Sequence, residues 1–182
     1  MERARFWSLV EAAKEASGGD VQRQAALLVE QLGELPLSSI VEVHHILEAL
    51  QAESRRADLW DAAAVINQWD SSDRLFCSED TFFIFRGWLV AQGRQVYQAA
   101  ITAPDSLADY PELGDDLPWG EAMWGVAMEA YSDRTGEEMP GLRGWPGQLI
   151  EEDAGSPWRS PEQVTSQLRQ RYPRLWARFR HH

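Results

Sequence analysis

The sequence predicts an all-α fold: a multi-helix bundle around a buried central helix at about residues 79–92, with an irregular acidic insertion rich in Gly, Pro and Trp. Three observations carry this prediction. Apolar residues recur at the three- and four-residue spacing of amphipathic helices. Capping residues and helix breakers bound these periodic segments. No segment alternates apolar and polar residues for long, and no Asn-Gly hairpin turn occurs, so strands are not indicated.

Four helices are predicted in the first 70 residues. The Gly18-Gly19 pair ends the first, Asp20 caps the second, and Gly33 with Pro36 ends it. The third and fourth each carry one apolar face. The expected bounds are about residues 5–16, 21–33, 37–54 and 58–68.

A fifth helix is predicted to lie at the centre of the fold. Ser78 can cap its first turn, where Glu79 and Asp80 match the positive end of the helix dipole. The apolar residues that follow cover nearly every direction around the axis, which is typical of a helix surrounded by protein. They are Phe82, Phe83, Ile84, Phe85, Trp88 and Leu89.

The rest of the chain changes in charge and regularity. A helix at about residues 94–102 ends before Pro104, and residues 101–160 then carry 13 acidic residues, 3 basic residues and 6 prolines. This composition predicts a mostly irregular segment with one helix at about residues 119–131. Residues 161–182 hold five Arg and one Glu, and we expect a basic helix there that folds back on the acidic segment.

The length of 182 residues fits one domain. We therefore expect a single domain over residues 1–182. Its parts are a helical core (1–103), an acidic loop-rich segment with one helix (104–160) and the basic C-terminal helix (161–182).

Charge and composition limit the partners. Seventeen Lys and Arg against 29 Asp and Glu give a net charge of -12, which disfavours nucleic acid and anionic lipid surfaces. No apolar run is long enough to span a membrane. The single cysteine, Cys77, and the absence of a secretory signal pattern favour the cytoplasm. We expect a monomer or homodimer that binds a small molecule, a peptide or a protein.

Five segments resemble one bacterial family, frequent in actinobacteria, known as domain of unknown function 4240. They are Phe6-Trp7-Ser8-Leu9-Val10, Asp58-Leu59-Trp60-Asp61, the run from Cys77 to Arg94, Pro104-Asp105-Ser106-Leu107 and Tyr172-Pro173-Arg174-Leu175-Trp176. The resemblance extends over nearly the whole chain. It implies family membership and no particular chemistry, because the family has no assigned activity.

Arg86 is the most informative candidate residue. A guanidinium inside an apolar helix must meet a carboxylate, carbonyl oxygens or an anionic ligand, because burying it alone would cost several kcal/mol. A buried ion pair between two helices and an anion-binding role both remain open.

The other candidate catalytic residues are His44 and Asp80. Asp80 and its neighbour Glu79 suit general acid/base work or cation binding, or simply cap a helix. His44 lies on an apolar stripe one turn before Glu48, which suits a core histidine, an acid/base group or a metal ligand. We expect no metal site and no cofactor, because no metal-binding or nucleotide-binding motif is present.

The leading hypothesis is a cytoplasmic binding or accessory module that recognises a peptide, a protein or a small molecule in a groove between the helical core and the Trp-rich loops. Aromatic rings beside acidic residues suit such a groove, although they can equally anchor a long loop. The alternative is a cofactor-independent enzyme, a hydrolase, lyase or tailoring enzyme that uses His44, Asp80 and Arg86. The candidate ligand-binding residues are Glu79, Trp88, Gln92, Trp119, Trp124 and Trp145.

Overall fold

The structure is a computed structural model that describes residues 1–66, 77–110, 120–140 and 161–180. Within these ranges the chain is helical and contains no strand, which confirms the predicted all-α fold. The α-helices are α1 (Arg3–Ser17), α2 (Val21–Gly33), α3 (Leu37–Glu53), α4 (Ala57–Ile66), α5 (Glu79–Ala91), α6 (Arg94–Thr102), α7 (Ala122–Thr135), α8 (Pro161–Arg171) and α9 (Pro173–Phe179). A 3₁₀ helix spans Pro104–Asp109.

Local signals set the helix ends where the sequence predicted them. The Asp20 side chain accepts the backbone N–H of Arg23 at 2.9 Å and caps α2. Ser78 accepts the backbone N–H of Thr81 at 3.0 Å and caps α5. Gly18 ends α1 in the left-handed conformation at φ 67°, which an L side chain adopts only at a steric cost.

Helix α5 lies against α1, α2, α3, α4, α6 and α7. Its residues Phe82, Phe83 and Phe85 through Ala91 are all buried. Each large apolar side chain removed from water stabilises the fold by about 1.5–3 kcal/mol. Burial on every side also explains why this helix shows no single apolar face in the sequence.

The backbone of α5 makes one very close approach. A Cβ added at Gly87 would lie 2.0 Å from the carbonyl oxygen of Gly120, and a Cβ at Gly120 would lie 2.1 Å from that of Ile84. Both positions therefore require glycine. Trp124 packs beside this contact, and its indole N–H donates to the Phe83 carbonyl at 3.1 Å.

Two regions differ from the sequence prediction. In the acidic segment, α7 begins three residues later and ends four residues later than expected, and the 3₁₀ helix replaces a loop. The C-terminal segment forms two helices, α8 and α9, where the sequence predicted one. Pro173 has no backbone N–H and restricts Tyr172 before it, so α8 ends and α9 starts at this pair.

No helix among the described residues has the length and apolarity that a membrane crossing requires. Helix α9 packs against α4, α8 and the 3₁₀ helix. Of these elements, only the 3₁₀ helix belongs to the acidic segment on which we expected the basic tail to fold, and much of that segment lies outside the described residues.

Candidate functional site

Arg86 lies where α5 passes the carboxyl end of α3. Its side chain is buried, with 5% exposure, and one Nη donates a hydrogen bond to the Gln51 carbonyl at 2.8 Å. The last carbonyls of a helix have no partner within the helix and lie at the negative end of its dipole. The Arg86 guanidinium therefore caps α3 as a cation.

Two aromatic rings lie close to this guanidinium. Its central carbon lies 4.8 Å from the centre of the Phe82 ring and 5.9 Å from that of Phe83. These cation–π contacts stabilise a charge that is largely withdrawn from water. Among the described residues, however, no carboxylate lies within ion-pair distance of Arg86, and its Nε has no hydrogen-bond partner.

Two charged residues, Arg55 and Glu79, act on Arg86 from a greater distance. Burial and then Arg55 lower the pKa of Arg86 to about 10, while Glu79 opposes them, so Arg86 stays charged at neutral pH. Arg55 Nη2 lies 3.9 Å from Glu79 Oε1, and their side chains are 33% and 41% exposed. The cluster of Arg55, Glu79 and Arg86 therefore extends from the core to the solvent.

Cys77 lies beside this cluster at the start of α5. Burial, followed by the Glu79 charge, raises the pKa of its thiol to about 12. Cys77 is therefore protonated at neutral pH, and the neutral thiol is a poor nucleophile.

The structure does not bring the three candidate catalytic residues together. His44 lies seven residues before Gln51 on α3, about 10 Å along the helix from the carbonyl that Arg86 contacts. Asp80 is exposed at the start of α5. Among the described residues, no hydrogen bond or ion pair links His44, Asp80 and Arg86.

His44 has a local environment of its own. Its side chain is 15% exposed, and its Nε2 lies 3.7 Å from Glu48 Oε1, one turn along α3. The Nδ1 atom is buried without a partner. Burial lowers the pKa of His44, partly offset by Glu48, and this favours the neutral ring. Within the described ranges, no three His, Cys, Asp or Glu side chains form a group that could hold a metal ion.

The candidate ligand-binding residues fall into different places. Trp88 is fully buried, and Trp124 is buried with its indole nitrogen beside Gly87, so both contribute to the core rather than to a groove wall. Gln92 accepts a hydrogen bond from the Lys14 ammonium at 2.7 Å and joins α5 to α1. Trp119 and Trp145 lie outside the described residues.

With this geometry defined, comparison with known proteins identifies the family. The sequence model described as "Protein of unknown function (DUF4240)" matches residues 1–133. The chain belongs to the DUF4240 family. The match contains α1 to α6 and nearly all of α7, whereas α8 and α9, including the resemblance at Tyr172–Trp176, lie beyond it. No curated protein and no solved structure matches the chain.

Sequence reasoning missed several residues of this DUF4240 chain that hold helices together. Gln24 is fully buried, and its side-chain amide donates to the Val10 carbonyl at 3.0 Å and to the Ala91 carbonyl at 2.9 Å. It therefore connects α1, α2 and α5. A glutamine on the apolar stripe of α2 is the one signal that the sequence offered.

Arginine serves repeatedly as a helix cap in this family member. Arg134 donates to the Gly33 carbonyl at the end of α2, at 3.0 Å. Arg180 donates to the Ala64 and Val65 carbonyls at the end of α4, at 3.3 and 3.2 Å. Arg86 does the same for α3 from a buried position, and that position distinguishes it from the other two.

Proposed function

We propose that this protein is a cytoplasmic binding or accessory module, and that Arg86 and Arg55 receive an anionic group of a peptide, protein or small-molecule ligand. The observation that carries the proposal is the state of the Arg86 side chain. It is a buried cation with one protein hydrogen bond, an Nε without a partner, and no carboxylate in direct contact among the described residues.

Energetics favour a ligand anion at this place. A buried guanidinium offers five donors, and leaving them unused costs free energy because the group has lost its water. A carboxylate or phosphate could use the planar fork of the guanidinium at two points. Arg55 would supply a second cation from the partly exposed side of the cluster. Glu79 would compete with the ligand for both arginines.

The enzyme hypothesis has less support. General acid/base catalysis needs its groups within hydrogen-bond reach of one substrate. His44 is about 10 Å along α3 from the Gln51 carbonyl, and Asp80 is exposed, about 9 Å along α5 from Arg86. We therefore do not propose a reaction for this cluster.

Thermal unfolding in the presence of anions tests the proposal. Inorganic phosphate and citrate, each at 10 mM and at constant ionic strength, are added to the wild type, Arg86→Lys, Arg55→Gln and Arg5→Gln. Arg5 is an exposed residue of α1 and serves as the matched control. If the dissociation constant is about 1 mM, the added anion stabilises the wild type by about 1.4 kcal/mol, which raises Tm by about 3–6 °C.

The variants then separate the site from general salt effects. We expect the shift to fall by half or more in Arg55→Gln, to vanish in Arg86→Lys, and to persist in Arg5→Gln. Arg86→Lys keeps the charge but loses the fork, so a folded protein that no longer responds supports the site. Equal shifts in all four proteins, or no shift with either anion, would refute the proposal.

A further inference from the structure

The hydrogen-bond donors of the Arg86 guanidinium are only partly used. Nη1 donates to the Gln51 carbonyl at 2.8 Å, and Nε is buried without a hydrogen-bond partner. Nη2 donates to no described residue. In a planar guanidinium the Nε–H group and one N–H of Nη2 point in the same direction. The donors that remain therefore form one fork on a single edge of Arg86.

Two kinds of anion match this fork in shape. A carboxylate and a phosphate can each accept two parallel hydrogen bonds from one edge of an arginine. The shape of the fork therefore indicates an anion with two neighbouring oxygens, and the charge of the site has to decide between a monoanion and a dianion.

The charged residues of the cluster carry one net positive charge. Among the described residues, Arg55 and Arg86 contribute +2 and Glu79 contributes −1, which gives +1. A monoanion such as a carboxylate neutralises this charge, whereas a dianion leaves one unbalanced negative charge. The attraction between ligand and cluster is proportional to the ligand charge, but the cost of removing an ion from water grows with the square of its charge. The cluster therefore favours a monoanion.

Among the described residues, the surroundings of Arg86 offer little to balance a second negative charge. The guanidinium carbon lies 4.8 Å from the centre of the Phe82 ring and 5.9 Å from that of Phe83. Cys77 carries no charge, because burial raises the pKa of its thiol to about 12. Since Arg86 itself is only 5% exposed, water does little to solvate a ligand beside it. A dianion would therefore hold its second charge in a mostly apolar place.

We propose that the fork of Arg86 binds the carboxylate of a monocarboxylic ligand, and that Glu79 sets this preference by holding the charge of the cluster at +1. The inference rests on the proposed function, which leaves carboxylate and phosphate open. Glu79 is suited to this role, because its Oε1 lies 3.9 Å from Arg55 Nη2 and its charge also acts on Arg86. The carboxylate belongs to a small organic acid or to the C-terminus of a peptide, and both present the same group.

NMR spectroscopy of the Arg86 side chain tests the proposal. In isotope-labelled protein, the Nε–H signal of Arg86 is identified by its loss in Arg86→Lys, or by correlation from the Arg86 backbone if that variant does not fold. Sodium acetate and sodium sulfate, a monoanion and a dianion, are titrated at pH 7 and at constant ionic strength. We expect acetate to move this signal downfield, because Nε–H gains an acceptor, and to bind with a dissociation constant about fivefold or more below that of sulfate.

Removing the Glu79 charge tests the origin of the preference. Glu79→Gln raises the summed charge of the described cluster from +1 to +2. Because electrostatic attraction is proportional to the ligand charge, a gain of about threefold for acetate corresponds to about ninefold for sulfate, and the preference for acetate shrinks about threefold. The matched control is Glu15→Gln, at an exposed position of α1, which should leave both dissociation constants within about twofold of the wild type.

Two blocked amino acids distinguish the sources of the carboxylate. N-acetylglycine carries the carboxylate at the end of a peptide group, and N-acetylglycinamide replaces it with a neutral amide. Tighter binding of N-acetylglycine than of acetate assigns the fork to a peptide C-terminus, and weaker binding assigns it to a small acid. The amide should leave the Arg86 signal unchanged, because it has no charge. An equal response to the amide would overturn the proposal.

The remaining results separate this inference from the proposed function. If sulfate moves the Arg86 signal with a dissociation constant equal to or below that of acetate, the carboxylate preference is wrong and anion binding at Arg86 stands. If no anion moves the signal, both proposals are wrong. If Glu79→Gln keeps the wild-type ratio of the two dissociation constants, the role of Glu79 is refuted.

Discussion

Replacing Gly87 with alanine gives the sharpest test of how α5 is packed. The added Cβ would lie 2.0 Å from the Gly120 oxygen, 2.7 Å from the Gly120 carbonyl carbon and 2.8 Å from Trp124 Nε1. The first two atoms are backbone and the third belongs to a buried indole, so none can move alone. Helix α5 and the start of α7 must separate by about 1 Å or more to reach ordinary van der Waals distance.

The expected cost follows from two effects. Overpacking a core costs about 1–3 kcal/mol, and loss of the Trp124–Phe83 hydrogen bond adds about 1–3 kcal/mol. We therefore expect Gly87→Ala to lower the free energy of unfolding by about 2–6 kcal/mol, which lowers Tm by about 4–24 °C in a chain of this size.

Gly125→Ala is the matched control. Gly125 lies inside α7, and an added Cβ would meet nothing within 4 Å. Because glycine inside a helix costs about 0.5–1 kcal/mol relative to alanine, this variant should be more stable than the wild type by about that amount. Urea unfolding followed by circular dichroism measures both changes. A Gly87→Ala protein within 1 kcal/mol of the wild type would refute the close approach at Gly120.

Two further predictions concern buried polar groups. Gln24→Ala should lower the free energy of unfolding by about 2–4 kcal/mol, because it removes both hydrogen bonds, including the one to the Ala91 carbonyl at the end of α5, and empties a fully buried site. The exposed control Gln22→Ala should change it by less than about 0.5 kcal/mol. Equal urea midpoints for the two variants would contradict the bridge. Burial raises the pKa of Asp61 to about 6, although the charge of Arg171 opposes the shift. Between pH 3.8 and pH 6 the Asp61 carboxyl is therefore protonated in the folded protein and ionised in the unfolded chain. The contribution of Asp61 to the free energy of unfolding falls as the pH rises through this range. Urea titrations should show that the free energy of unfolding of the wild type, relative to that of Asp61→Asn, decreases by about 1–3 kcal/mol between pH 4 and pH 7. An increase over that range would mean that the ion pair with Arg171 dominates.

Much of the secondary structure could be predicted because its signals are local. Asp20 and Ser78 precede apolar periodic segments, and each accepts the expected backbone N–H. Pro173 is the exception. The sequence analysis predicted one helix over residues 161–182, whereas the missing N–H of Pro173 divides this segment into α8 and α9.

The candidate site could be predicted only in part. The apolar surroundings of Arg86 in the sequence led us to expect a buried cation that needs a negative partner. The partner is the Gln51 carbonyl, 35 residues away in the chain, which no spacing pattern could identify. Trp88 and Trp124 were both candidate ligand-binding residues, and both are buried where Gly120 approaches Gly87.

The sequence by itself determined which segments form helices, where several of them begin, and that a guanidinium must be withdrawn from water on α5. The helix signals are local, because caps, breakers and apolar periodicity act between residues a few positions apart, and the apolar residues on all sides of α5 indicate that this helix is enclosed. Only the tertiary structure decided which helix end each arginine caps, why residue 87 is glycine, and that α9 packs against α4 and the 3₁₀ helix. Those contacts join residues that lie far apart in the chain, and they exist only after the helices pack together.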